Sequence, residues 1–133
     1  IGFVFQEGAL FDSMNIEANI MFPSRMFSNM KKKARLERVE YCLNRVNLQG
    51  VNKMFPSQLS GGMRKRVAIA RAISAQPKYL FCDEPNSGLD PQTSILIDNL
   101  IKDITKDELH ALTFKFDKRE SKSGNKFVNM SII

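Results

Sequence analysis

Two stretches of this 133-residue chain hold side chains whose types and spacing could do phosphate chemistry. The first is Leu59-Ser60-Gly61-Gly62-Met63, continuing as Arg64-Lys65-Arg66-Val67-Ala68-Ile69-Ala70-Arg71. Ser60 suits a helix N-cap, because its hydroxyl can accept from an orphan amide of the first turn. Gly61 and Gly62 carry no side chains to hold a large anion off the backbone. Met63, Val67 and Ala70 then recur at helical spacing, and Pro77 limits the run. The spacing predicts a helix that begins at the glycines, its free N–H groups and positive dipole end open to an oxyanion. On a lone Ser-Gly-Gly, an ordinary capped helix with two linker glycines is the better reading.

The second stretch decides between them. Tyr79-Leu80-Phe81-Cys82 is an apolar run ending in Asp83-Glu84-Pro85, followed by Asn86-Ser87-Gly88-Leu89-Asp90-Pro91. A buried strand that delivers adjacent carboxylates to its carboxyl end can supply one for a magnesium-bound water and one for an attacking water.

With both stretches in this order, the sequence resembles the nucleotide-binding subunit of ATP-binding cassette (ABC) transporters. Leu59 through Met63 resemble the family signature, with Met63 where Gln is commoner. Residues 79–84 resemble its Walker B strand and residues 87–90 its D-loop. Upstream, Gln6 resembles the Q-loop glutamine. The string Gly8-Ala9-Leu10-Phe11-Asp12-Ser13-Met14 is similar to the branch that handles lipids, maintains outer-membrane asymmetry and confers organic-solvent tolerance. The resemblance implies an α/β fold, part of a P-loop NTPase domain with a mainly helical insert. It implies that Ser60, Gly61 and Gly62 contact the γ-phosphate of ATP held by a partner subunit, with Met63 beside them. Asp83 would support Mg²⁺, Glu84 would be the general base, Gln6 would complete the metal and water shell, and Asp90 would couple the two sites. The implied partners are a second nucleotide-binding subunit, head to tail, and a membrane-spanning permease. The protein would then be cytoplasmic, peripheral on the inner membrane through the permease.

The elements that must position these residues can be read from the rest of the chain. Residues 1–5 are a short apolar run, consistent with a buried strand. Asn15 can cap a helix over residues 16–21 with Glu17 in its first turn, and Pro23 should end or bend it. Leu36, Val39, Leu43 and Val46 make a helical core stripe, with Gly50 a suitable C-cap. Asp90 and Pro91 suit an N-cap and first-turn proline, and Leu96, Ile97, Leu100, Ile101 and Ile104 form an amphipathic face beyond them. Residues 1–105 thus divide into a core strand and Q-loop (1–12), a helical subdomain (13–58), and the signature, Walker B, D-loop and following helix (59–105).

Beyond residue 105 the resemblance stops. The family's switch histidine follows an apolar strand and precedes an aspartate; the chain's His110 has neither, and reads as an exposed helix-end or loop residue. Leu112, Phe114 and Phe116, then Val128, Met130 and Ile132, alternate about Ser123-Gly124-Asn125 in a divergent tail (106–133), which reads as a weak hairpin or equally as a poorly ordered end. The Gly-rich phosphate loop with its Lys-Ser/Thr would lie upstream of Ile1 in this family, so the 133-residue segment alone is expected to show no turnover.

Composition narrows the field. The net charge of +6 is spread among acidic residues. Lys31-Lys32-Lys33 reads as a solvated helix approach, and for Arg64-Lys65-Arg66 a phosphate-facing role competes with plain exposure. With 9% aromatics and no Trp there is little for base stacking, and no nucleic-acid partner is expected. Two cysteines, Cys42 and Cys82, do not make a disulfide framework, and Cys82 reads as a small core residue. No signal peptide or bilayer-length apolar segment appears. Two other classes stand beside a transport ATPase. One is an inactive fragment that binds partner subunits through its helical insert. The other is a soluble ABC protein acting on DNA or the ribosome, which the lack of long coiled-coil periodicity between Gln6 and Ser60 argues against.

Overall fold

The structure, a computed structural model, describes residues 2–5, 8–83, 88–107, 110–116 and 128–132. In chain order the elements are β1 (Gly2–Val4), α1 (Ile16–Phe27), α2 (Lys32–Arg45), a 3-10 turn (Pro56–Gln58), α3 (Gly61–Ser74), β2 (Tyr79–Asp83), α4 (Pro91–Asp107), β3 (His110–Phe116) and β4 (Val128–Ile132). The strands form one sheet in the order β1-β2-β3-β4. The first three run parallel, and β4 closes the edge antiparallel to β3. Helices supply the parallel crossovers, so the α/β expectation is met.

Side-chain alternation splits the sheet into two faces. Val4, Leu80 and Cys82 are buried in the core with Val67, Ile69 and Ile73 of α3 and Ile97, Ile101 and Ile104 of α4. Phe3 and Phe5 lie on the opposite, more open side, and Phe3 stacks on Phe81 with ring centroids 6.3 Å apart. A fully buried Val, Leu or Ile contributes about 1.5–3 kcal/mol, against about 1 kcal/mol for one helix cap. The core, more than the Ser60 cap, therefore holds α3 in place. Burial is also why the two thiols sit far from reactivity. Desolvation pushes Cys42 up to about 11, against the opposing charge of Arg38, and Cys82 up to about 12.

Several local expectations hold. Asn15 caps α1, its side chain accepting from Ala18 N at 2.8 Å. The alternating tail forms the antiparallel pair β3–β4. It does more than pair with itself: β3 runs parallel to β2, with His110 opposite Tyr79. His110 thus opens a strand, and the helix-end or loop reading is corrected. An open β2 edge would leave a row of backbone groups unpaired, and β3 satisfies them.

Other details differ. α1 does not stop at Pro23 but continues to Phe27. Pro23 cannot donate to the Asn19 carbonyl, yet Ile16, Asn19, Ile20 and Ser24 are buried along one side of the helix on both sides of it. Beside the gap, Ser74 Oγ donates to the Ile20 carbonyl at 2.8 Å. Gly50 is not the cap of α2. The helix ends in a Schellman motif around Asn47 (φ 54°), with Asn47 N donating to Asn44 O and Leu48 N to Leu43 O. Leu96 leaves the α4 core face and is 54% exposed. Ile97, Leu100, Ile101 and Ile104 already fill one stripe, and Leu96 falls about 100° around the helix from Ile97.

Candidate functional site

Helix α3 starts where its sequence requires. Ser60 is extended (φ −66°, ψ 163°), and its Oγ accepts from Met63 N at 3.2 Å. Its carbonyl accepts from Arg64 N at 2.9 Å as the first helical bond. The amides of Gly61 and Gly62 have no acceptor among the described residues. Ser60 and Gly61 are exposed and Met63 half-buried against the core. The result is a capped helix end on the surface with two outward donors and the positive end of the dipole, an arrangement suited to an oxyanion.

The two glycines serve different purposes. A Cβ on Gly61 would meet Leu89 Cδ2 at an ordinary 3.7 Å, so no described residue blocks a Cβ there. A Cβ on Gly62 would lie 2.7 Å from Thr93 Cγ2. The space that a side chain at Gly62 would need is thus filled by α4, whereas a Cβ at Gly61 makes only ordinary contact.

Thr93 is itself fixed by Asp90. Thr93 Oγ1 donates to Asp90 Oδ1 at 2.5 Å and Thr93 N donates to Asp90 Oδ2 at 3.1 Å, so Asp90 caps α4 as expected. The Thr93 hydroxyl first, and its amide second, hold the exposed Asp90 carboxyl below its ordinary pKa. Asp90 and Gly62, from separate motifs, thereby meet across one threonine.

Asp83 ends β2. Its Oδ1 is buried and has no hydrogen-bond partner among the described residues. A buried carboxylate oxygen without a donor suits a hard divalent cation or its bound water. The residue therefore fits Mg²⁺. Gln6, Glu84 and Ser87 lie outside the described residues. In the basic run, Arg64 is exposed, Arg66 half-buried and Lys65 buried, so Lys65 belongs to neither the phosphate-facing nor the exposed alternative.

Two residues that the sequence reading passed over organise the loop after Gln6. Arg71, late in α3, donates from Nη1 to Ala9 O at 2.9 Å and from Nη2 to Gly8 O at 2.8 Å. Asn19, fully buried in α1, accepts from Phe11 N at 2.8 Å and donates to the carbonyls of Phe11 and Met14 at 3.1 Å. Each was visible as a polar residue set into an apolar helical stripe. Such a residue needs a buried partner.

A family model described as "ABC transporter" matches residues 1–87. The methionine import ATP-binding protein MetN of Bacillus subtilis (strain 168) is 44% identical over 106 residues, covering 80% of this chain and 31% of its own length. The probable ribonucleotide transport ATP-binding protein mkl of Mycobacterium leprae (strain TN) is 46% identical over 103 residues, covering 77% and 30%. The dimeric post-hydrolysis structure of the ATP-binding cassette MJ0796 bound to ADP and Pi superposes with a TM-score of 0.73 at 32% identity, over 84% of this chain and 50% of that one. The chain thus spans under a third of the length of these curated relatives, and half of the solved cassette.

Proposed function

The chain belongs to the ABC transporter family, and we propose that it forms the part of an ATP-binding subunit that closes over a nucleotide presented by a second copy. The observation that carries this reading is the exposed α3 N-terminus, capped by Ser60, with the Gly61 and Gly62 amides left over. In this reading Ser60 and Gly61 contact the γ-phosphate, Gly62 adds its backbone amide and Met63 flanks them. Asp83 would hold Mg²⁺, which would supply charge neutralisation at the transferred phosphate. Glu84 would take the proton of the attacking water and Gln6 would orient that water. Asp90, through Thr93, would tie the facing site to α3. Preorganised donors and charges at the transferred group supply most of the effect in such reactions.

The partners of this reading are a second ATP-binding subunit and a membrane permease met through α1 and α2, at the cytoplasmic face of the membrane. The relatives' names concern methionine and ribonucleotides. The string at residues 8–14 supports a different substrate, a phospholipid or other hydrophobic molecule, and we place the protein in that branch. Stimulation of the reconstituted transporter's ATPase by methionine but not by phospholipid would remove that assignment.

The function is tested with the full-length protein. Mg²⁺-dependent ATP hydrolysis is expected, and Glu84→Gln should lower kcat by roughly 10²–10⁴-fold while ATP still binds. Hydrolysis unchanged by Glu84→Gln would show that Glu84 is not the base. No hydrolysis by the parent protein, alone or with its permease, would overturn the ATPase reading.

A further inference from the structure

The corner between α1 and α2 gathers charge and apolar surface that phosphate recognition leaves unused. Arg35 closes it, donating from Nη2 to the carbonyl of Ser28, the C-cap of α1, at 3.4 Å. The last turn of α1 therefore lies beside the first turn of α2. That last turn ends in Met26 and Phe27, which are 61% and 85% exposed. Flanking them are Arg25, Lys31, Lys32, Lys33 and Arg35, and no acidic residue stands between Glu17 and Glu37. None of these cations pairs with a carboxylate among the described residues. Lys31 is the N-cap of α2 without a side-chain cap bond, and the first turn holds no acidic residue. Lysines at the positive end of a helix dipole oppose the helix. α2 starts there because Val39, Cys42 and Leu43 are buried further along it.

We propose that this corner is a contact for an anionic phospholipid surface, with Met26 and Phe27 entering the headgroup layer and the flanking cations meeting lipid phosphates. Aromatic and aliphatic side chains beside lysine and arginine bind shallowly at a headgroup boundary. Each cation close to an anionic leaflet adds to the attraction. The anionic surface also relieves the repulsion among the three lysines. A nucleic acid would engage the lysines but leave Met26 and Phe27 in water. A groove on a protein would cover the apolar pair without calling for an unbroken run of positive charge. A lipid boundary uses both, and it holds the α1–α2 corner against the bilayer beside the permease.

Co-sedimentation of the full-length protein with permease-free vesicles, in the absence of nucleotide, tests the contact. Binding is expected to phosphatidylcholine vesicles containing about a third phosphatidylglycerol, and not to phosphatidylcholine alone. It should fall steeply between about 0.1 M and about 1 M salt, as the screening length shrinks from about 10 Å to about 3 Å. Lys31→Gln/Lys32→Gln/Lys33→Gln should weaken partitioning by about tenfold or more, and Phe27→Ser by about fivefold. All four side chains are exposed, so urea midpoints and ATP affinity should stay at the parent values. Equal binding to both kinds of vesicle would overturn the contact, as would a triple variant or Phe27→Ser that partitions like the parent. A parent that ignores permease-free vesicles, with a triple variant that fails to assemble with the permease, would make the corner a protein contact instead. The lipid and salt dependence of the parent needs no substitution, so it decides the matter whatever the variants do. Failure here leaves the ATPase reading standing, because no nucleotide is present.

Discussion

Thr93 occupies the space that a side chain at position 62 would need: a Cβ on Gly62 would lie 2.7 Å from Thr93 Cγ2. The methyl cannot swing aside freely, because Thr93 Oγ1 is bonded to Asp90 Oδ1. Gly62→Ala must therefore shift α3 against α4 or break the Asp90 cap. Such overpacking costs about 1–3 kcal/mol. Thr93→Ser keeps the hydroxyl and removes the methyl, so Gly62→Ala/Thr93→Ser should regain most of the loss in urea unfolding. Additive effects of the two substitutions would show that this contact does not set the glycine.

Asp90 gives a prediction with a fixed sign. Its folded pKa is depressed by the Thr93 hydroxyl and amide. Its contribution to stability is therefore complete above the unfolded value, about 3.9, and is lost as pH falls through the lower folded value. The difference in urea midpoint between parent and Asp90→Ala should be flat near neutrality and shrink on acidification below about pH 4. A difference that grows on acidification contradicts the cap.

Burial fixes the behaviour of the thiols. With Cys42 raised to about 11 and Cys82 to about 12, neither forms thiolate at neutral pH in the folded protein. An aromatic disulfide reagent at about pH 8, where a free thiol near its ordinary pKa reacts readily, should label neither until the chain unfolds. Both should react in denaturant. Their stabilising contribution is full below the unfolded pKa and declines as pH rises toward the folded values. Fast labelling of the native protein would show that these side chains are not in the core.

How much of this was legible in the sequence depends on how local each cause is. The Ser60 and Asn15 caps, the start of α3 at Gly61 and the Asp90 cap of α4 were legible, since each is settled within one helical turn. The β2 strand was legible from its apolar run. Of the two outcomes expected at Pro23, an end does not occur, because the side chains buried on both sides of it carry α1 onward. Gly50 misled because Asn47, three residues earlier, tolerates the left-handed conformation nearly as well. The place of β3 beside β2 was not legible: alternation marks a strand but does not name its neighbour. The different purposes of Gly61 and Gly62 depend on Leu89 and Thr93, which only the fold brings alongside.

The central claim is that the helix end at Ser60 and Gly61 recognises a phosphate brought by another subunit. A Cβ at Gly61 clashes with none of the described residues, the nearest atom among them being Leu89 Cδ2 at 3.7 Å. Gly61→Asp should therefore fold, yet set a carboxylate against the incoming γ-phosphate, a like-charge contact in a partly desolvated site. Light scattering of the full-length protein with MgATP measures this directly. Glu84→Gln should form a dimer on adding MgATP, whereas Glu84→Gln/Gly61→Asp should bind ATP and remain a monomer. A double variant that dimerises as readily as Glu84→Gln would contradict phosphate recognition here and leave Ser60-Gly61-Gly62 an ordinary capped helix.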